Sequence, residues 1–359
     1  MKIGLLAYDL RRNGSGQSRF LINICKGIKK TGNYPVIFGL YIDTSIQNYL
    51  KTLDIEYHFL KEIPGYFFNF NIITFRDFLS EKLWQLLVKY ESCDVYIVMA
   101  DECIGVIKYM SKFKTAYITQ GDISLLFLNH DFRINRRILS YILEKNLSSN
   151  IRKHSKIVSK FDLILANSVF TSNLMAYLYE LPIDKVVYPP VDSDVFHKDS
   201  KIINSDSNYA MAILRNENDP IFAQLKHLAK AIPLKIIGGG HMEGAENLGY
   251  VNDDELRQIY SNATINLSPN TKEYYGYSIT EAMSCGTPTI AFNNAGAKEL
   301  IDNGINGWLA SSVKELKKIA IELISSSKDE DMSNNCIKNS KKYSIESSAK
   351  QLINYLKEI

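Results

Sequence analysis

Residues 268–288 read Ser268-Pro269-Asn270-Thr271-Lys272-Glu273-Tyr274-Tyr275-Gly276-Tyr277-Ser278-Ile279-Thr280-Glu281-Ala282-Met283-Ser284-Cys285-Gly286-Thr287-Pro288. Just ahead of them, Ala263-Thr264-Ile265-Asn266-Leu267 is a short apolar run suited to a buried strand. Two carboxylates, Glu273 and Glu281, stand eight positions apart. One regular helix would not superpose them, but Gly276 lets the chain turn before a helix starts near Tyr277. Glu273 is then expected in the loop and Glu281 about one turn inside the helix, both turned toward one side. The first amides of that helix, at Tyr277, Ser278 and Ile279, are expected to point outward at the positive end of the dipole. Such an end suits a diphosphate, and Gly276, with no Cβ, permits its close approach.

The same alternation of short apolar runs and amphipathic stretches extends over the whole chain. Ile3 to Tyr8 is apolar, the helical spacing of Phe20, Leu21, Ile24, Cys25 and Ile28 follows, and Pro35 to Ile42 is a second buried run. Strand, helix and strand of these lengths predict a βαβ unit and a parallel sheet. Further runs lie at 95–100, 115–119, 163–166 and 186–188. A polar stretch from Pro189 to about Asn208 reads as a hinge. A second series then begins at Tyr209–Leu214 and continues at 234–237, 263–267 and 287–292, with closing helices expected at 313–326 and 345–359. The expected architecture is α/β, two Rossmann-like doubly wound domains. Residues 1–190, joined by 345–359, form one and residues 191–344 the other. Ligands of such sheets bind outside the carboxyl ends of the strands.

Composition narrows the classes further. The 359 residues are 46% hydrophobic and 23% charged, which excludes disorder, collagen-like repeats and coiled coil for the bulk of the chain. A formal charge of +3 is too small to argue for a nucleic-acid partner. Five scattered cysteines make no CxxC and read as reduced, buried thiols of a cytoplasmic protein. The six histidines show no paired metal spacing, so no metal is expected. The amino-terminal run turns polar too early for a signal peptide, and no run is long enough to cross a bilayer.

The segment from Glu273 to Glu281 resembles the Glu-x7-Glu signature of family 4 of the retaining glycosyltransferases, with Glu273-Tyr274-Tyr275-Gly276 in place of the usual Glu-x-Phe-Gly. Other blocks resemble the same family in order. They are Tyr209 to Arg215, the strand-then-glycine turn Leu234 to Gly240, Asn247 to Pro269, the pair Gly296–Glu299 and Gly304–Gly307, and Lys342 to Glu346. The resemblance implies the GT-B architecture, with the two domains facing across a cleft. It implies that Glu281 accepts ribose hydroxyls of a nucleotide-diphosphate sugar and that Glu273 touches the donor sugar near its anomeric centre. Arg215 would neutralise the diphosphate, and its fork of donors suits phosphate oxygens. The backbone from Gly276 through Tyr277 and Ser278 to Ile279 would hold the distal phosphate, with Gly238 nearby, and Asn247, Leu248 and Val251 would cradle the base. Gly14, Ser15 and Gly16 correspond to the family's glycine-rich loop, and Gln120 and Asp122 lie on the acceptor side. The nucleotide sugar is then the substrate and no cofactor is implied; the acceptor would be a glycan or a lipid-linked sugar.

Three positions depart from the family pattern. Pro220 stands where a lysine usually follows the arginine, Gln120 stands near a usual histidine, and Gly14-Ser15-Gly16 replaces adjacent glycines. Gln120 can hydrogen-bond but cannot accept a proton as a base. A sugar-nucleotide epimerase on the same fold, and a silent homologue that binds nucleotide sugar as a partner subunit, stay open beside the transferase. Residues 133–160 interleave basic and apolar side chains, which reads either as a solvated helix face or as a peripheral dock on anionic lipid. The aromatic run 65–73 is similarly either a core loop or a lip for an acceptor.

Overall fold

The computed structural model describes residues 1–10, 16–60, 72–121, 151–181, 183, 185–199, 208–215, 218, 221–271, 273–326 and 328–359, with the side chains of 72–77 left out. Gly14, Ser15, Asp122, Pro220, most of the basic stretch and most of the aromatic run therefore lie outside the described residues. Two compact units emerge: Met1–Tyr188 with Ser348–Ile359, and Pro189–Ser347.

The first unit is built on a seven-stranded sheet in the order β3-β2-β1-β4-β5-β6-β7. Its strands are β1 (Lys2–Leu10), β2 (Tyr34–Ile42), β3 (Glu56–Phe59), β4 (Val95–Val98), β5 (Lys114–Thr119), β6 (Leu163–Ala166) and β7 (Lys185–Val186). Every pairing is parallel, with Ile3 opposite Pro35 on one side of β1 and opposite Val95 on the other. The central strands are buried on both faces, and so read as continuous apolar runs rather than as alternation. Leu6, Phe38, Leu83, Val98 and Ile104 fill one core of this unit. The carboxyl-terminal helix Ile345–Leu356 leads back here, where Lys114 Nζ donates to the Ile359 carbonyl at 2.6 Å and Lys185 pairs with Glu358.

The second unit repeats the plan with six strands in the order β10-β9-β8-β11-β12-β13, again all parallel. They are β8 (Ala210–Ile213), β9 (Leu234–Ile237), β10 (Glu246–Gly249), β11 (Ile265–Ser268), β12 (Thr289–Phe292) and β13 (Gly307–Ala310). In both sheets the chain runs outward to one edge, then returns to the middle and runs to the other. Reversal of strand order leaves a crevice at the carboxyl ends, between β1 and β4 in one sheet and between β8 and β11 in the other. No helix among the described residues is long and apolar enough to cross a membrane.

Candidate functional site

In the second unit the loops after β8, β9 and β11 meet at this reversal. β8 is followed by buried Leu214, whose amide donates to the Ile237 carbonyl at 2.8 Å, and the next residue, Arg215, is exposed. The turn after β9 presses on this pair. A Cβ on Gly238, which has φ +112°, would stand 2.4 Å from the Leu214 carbonyl oxygen. A Cβ on Gly239 would stand 2.7 Å from the Arg215 carbonyl oxygen and 2.8 Å from the Tyr250 hydroxyl. Only a glycine turn lets β9 close against the backbone that carries the guanidinium.

β11 supplies the carboxylates. Glu273 is half-buried; the Asn270 amide Nδ2 donates to its Oε2 at 3.1 Å, and its backbone carbonyl accepts from the Gly296 amide at 2.9 Å. Gly276, at φ +105°, turns the chain into the helix Tyr277–Ser284 and brings its own Cα beside Glu273, since a Cβ here would lie 3.4 Å from Glu273 Cγ. No side chain caps this helix and no acidic residue occupies its first turn. The expectation of three outward amides is corrected at one position: the Ile279 amide donates to the Gly276 carbonyl at 3.1 Å, closing a tight first turn. The Ser278 hydroxyl faces that of Ser268 at 3.5 Å.

Glu281 is almost fully buried, and the Tyr260 hydroxyl donates to its Oε2 at 3.4 Å. Its charge adds to burial in pushing the Cys285 thiol far above the ordinary range. Leu248, Val251 and Tyr277 pack against one apolar cluster with Tyr260 and Phe196. Asn247 is committed to its own loop: its Oδ1 accepts from the Met242 amide at 2.8 Å, and its Nδ2 donates to the carbonyls of Met242 and Ala245, each at 2.9 Å. The side-chain amide thus braces the turn that shapes this wall.

In the first unit the carboxyl ends of β1, β4, β5 and β6 are tied together by amides. Gln17, one residue into the helix that Gly16 begins, donates to the Met99 carbonyl at 2.9 Å, and Gln120 donates to the same oxygen at 3.0 Å. Asn167 Nδ2 in turn donates to the Gln120 carbonyl at 3.3 Å. Just past β4 the buried carboxylate of Asp101 accepts from the Tyr117 hydroxyl. Sequence reading missed Gln17, Asp101, Tyr260 and Asn270. The signal for Asn270 was present, because an amide three residues before a loop carboxylate is placed to orient it.

Residues 222–343 match the family described as Glycosyl transferases group 1. The match lies within the second unit. Over 208 residues, 47% of this chain and 42% of the relative, the sequence is 26% identical to the GDP-Man:Man(3)GlcNAc(2)-PP-Dol alpha-1,2-mannosyltransferase of Mus musculus. The chain spans less than half the length of the curated relatives it matches. Among solved structures it is similar to sucrose-phosphate synthase of Thermosynechococcus elongatus, with a TM-score of 0.78 and 13% identity over 99% of this chain and 98% of that one. It is also similar to Anabaena HepE in complex with UDP-glucose, with a TM-score of 0.75 and 18% identity over the whole of both chains. The fold of the two units is therefore GT-B. Among the described residues no cluster of three His, Cys, Asp or Glu side chains is placed to hold a metal ion.

Proposed function

We propose that this chain is a retaining glycosyltransferase of the family 4 type, moving a sugar from a nucleotide-diphosphate sugar to a hydroxyl acceptor. The observation that carries this reading is the convergence of Arg215, the Gly238–Gly239 turn and the Glu273–Gly276 loop at the reversal point of the second sheet. The family match over the glycine turn and the Glu273–Gly276 loop, the mannosyltransferase relative and the UDP-glucose complex of HepE all support it.

The bond to be broken joins the anomeric carbon to a diphosphate oxygen, and its electron pair leaves with the diphosphate. Arg215 and the amino end of the helix Tyr277–Ser284 stabilise that charge, a preorganised contribution that is usually the largest in catalysis. Glu273, held by Asn270, orients the hydroxyls of the donor sugar, and Glu281 holds the ribose. The acceptor hydroxyl attacks from the face the diphosphate leaves, and its proton passes to the departing phosphate oxygen. One carbon–oxygen bond forms as the other breaks, with configuration kept. Gln120 and Gln17, fixed on one carbonyl, shape the acceptor end of the first sheet without acting as bases.

The test is a panel of UDP- and GDP-sugars offered to the purified chain, with binding followed by calorimetry and products by proton NMR. Saturable binding and transfer to a hydroxyl acceptor with the donor's anomeric configuration are expected. Binding without turnover would mark a silent homologue, and an altered sugar nucleotide without acceptor would mark an epimerase. Absence of binding across the panel would end the proposal.

A further inference from the structure

The helix Tyr277–Ser284 rests on two polar side chains that the sheet buries. β11 has a parallel neighbour on each side, β8 and β12, and its alternate residues face opposite ways. Ile265 and Leu267 enter the apolar core of the second unit. Asn266 and Ser268 instead both reach Ser278, in the first turn of the helix. Asn266 is wholly buried.

A central strand covered on both faces ordinarily carries apolar side chains, and a buried amide costs free energy unless all its polar atoms are matched. Those of Asn266 are matched only in part. Its Nδ2 donates to the Ser278 carbonyl at 3.1 Å and to the Thr289 hydroxyl, opposite it on β12, at 3.1 Å. A backbone carbonyl can only accept, so the nitrogen faces Ser278 and the amide has one orientation. Its Oδ1 is buried too and has no hydrogen-bond partner among the described residues. An apolar pair at 266 and 289 would meet no such cost, so stability alone does not account for the asparagine. What the side chain does is fix the first helical turn over β11. The Ser278 carbonyl that it grips belongs to the same residue as one of the amides at the helix tip, and Ser268 meets the Ser278 hydroxyl at 3.5 Å. Gly276, at the N-cap, has no side chain to steady this end.

We propose that Asn266 is a positioning residue: through the Ser278 carbonyl it aims the first amides of the helix at the distal phosphate of the donor. The role rests on the donor-site reading above. Wholly buried, Asn266 touches no substrate and acts only through Ser278.

Asn266→Leu combined with Thr289→Val replaces both hydrogen-bonding partners by apolar groups of similar shape. UDP against UMP, and GDP against GMP, are titrated by calorimetry, so that the difference within each pair reads the distal phosphate. In the parent, the diphosphate of at least one pair is expected to bind more tightly than its monophosphate. The double variant is expected to melt at or above the parent's temperature, to bind that diphosphate about fivefold more weakly, and to bind the monophosphate as the parent does. Thr289→Val alone keeps the bond to Ser278 and should bind both like the parent. The smaller change Asn266→Ala repeats the comparison if the double variant does not fold, and should narrow the same gap. The positioning role is overturned, with the donor site left standing, if a folded Asn266 variant keeps the parent's gap or loses both affinities equally. Thr289→Val as weak toward the diphosphate as the double variant would overturn it as well. A parent that does not distinguish diphosphate from monophosphate in either pair overturns the donor-site reading itself, and the role with it.

Discussion

The side-chain amide of Asn270 donates to Glu273 Oε2 at 3.1 Å, so the loop carboxylate enters the site already oriented. Gly296 fixes the same residue from behind through its backbone amide. If Glu273 acts on the sugar in the transition state, Glu273→Ala should lower kcat by about 100-fold or more while changing nucleotide affinity little. Asn270→Ala removes one hydrogen bond to a charged acceptor, so kcat should fall about tenfold, with Glu273 intact. Steady-state kinetics alongside calorimetric titration of the nucleotide separates the two effects. Unchanged turnover in Glu273→Ala would falsify the assignment.

Glu281 makes the opposite prediction. It is buried beneath the Tyr260 hydroxyl rather than presented on the loop, and in the proposed reaction it would serve binding more than bond-breaking. Glu281→Gln keeps the shape and removes the charge, and should weaken nucleotide binding about tenfold through the loss of charge-assisted hydrogen bonds. Tyr260→Phe removes the 3.4 Å contact to Glu281 while keeping its charge, and should weaken binding less. A calorimetric affinity for Glu281→Gln equal to the parent's would remove Glu281 from the nucleotide site.

The parallel sheets were legible because their central strands are buried on both faces and spell apolar runs such as Val95–Val98 and Ala210–Ile213. Two of the edge strands were not. β3, Glu56–Phe59, and β10, Glu246–Gly249, are exposed or half-buried along their length, so they carry no apolar run to read, as suits a sheet edge. In the site, residue types and order placed Glu273, Gly276 and Glu281 on one loop and helix, whereas contacts between elements were beyond reach. Tyr260 comes from the preceding helix, Asp253–Asn262, and meets Glu281 only through packing. Gln17 and Gln120 share the Met99 carbonyl across more than a hundred positions of sequence. The closure of the Ile279 amide is likewise a matter of local geometry, because Gly276 accepts where an outward donor was expected.

The glycine turn after β9 is predicted to be a mechanical support for Arg215. Gly238→Ala places a methyl 2.4 Å from a backbone oxygen at φ +112°, so the backbone must move. A loss of about 2–3 kcal/mol is expected, read as a fall in melting temperature of several degrees. Gly239→Ala collides instead with the Arg215 carbonyl and the Tyr250 hydroxyl, and should weaken diphosphate binding more than it lowers stability. Unaltered melting of Gly238→Ala would show that the turn relaxes freely.

All five cysteines are buried and free, and burial is the first cause of their raised thiol pKa values, with Cys93 pushed up to about 11. Thiolates are the reactive form, so the native chain at pH 8 should react with a disulfide reagent slowly at every cysteine, and fully only after denaturation. The same shift fixes the sign of a pH dependence. Above the ordinary thiol value of 9.0 the unfolded chain loses the Cys93 proton while the folded chain keeps it until about 11. Unfolding then releases protons, and the Cys93 contribution to stability falls as pH rises through this window. Denaturant melts of the parent and of Cys93→Ala at pH 8 and pH 10.5 should show the parent's advantage shrinking at the higher pH. An advantage that grows with pH would mean that the folded state favours the Cys93 thiolate, against the burial seen here.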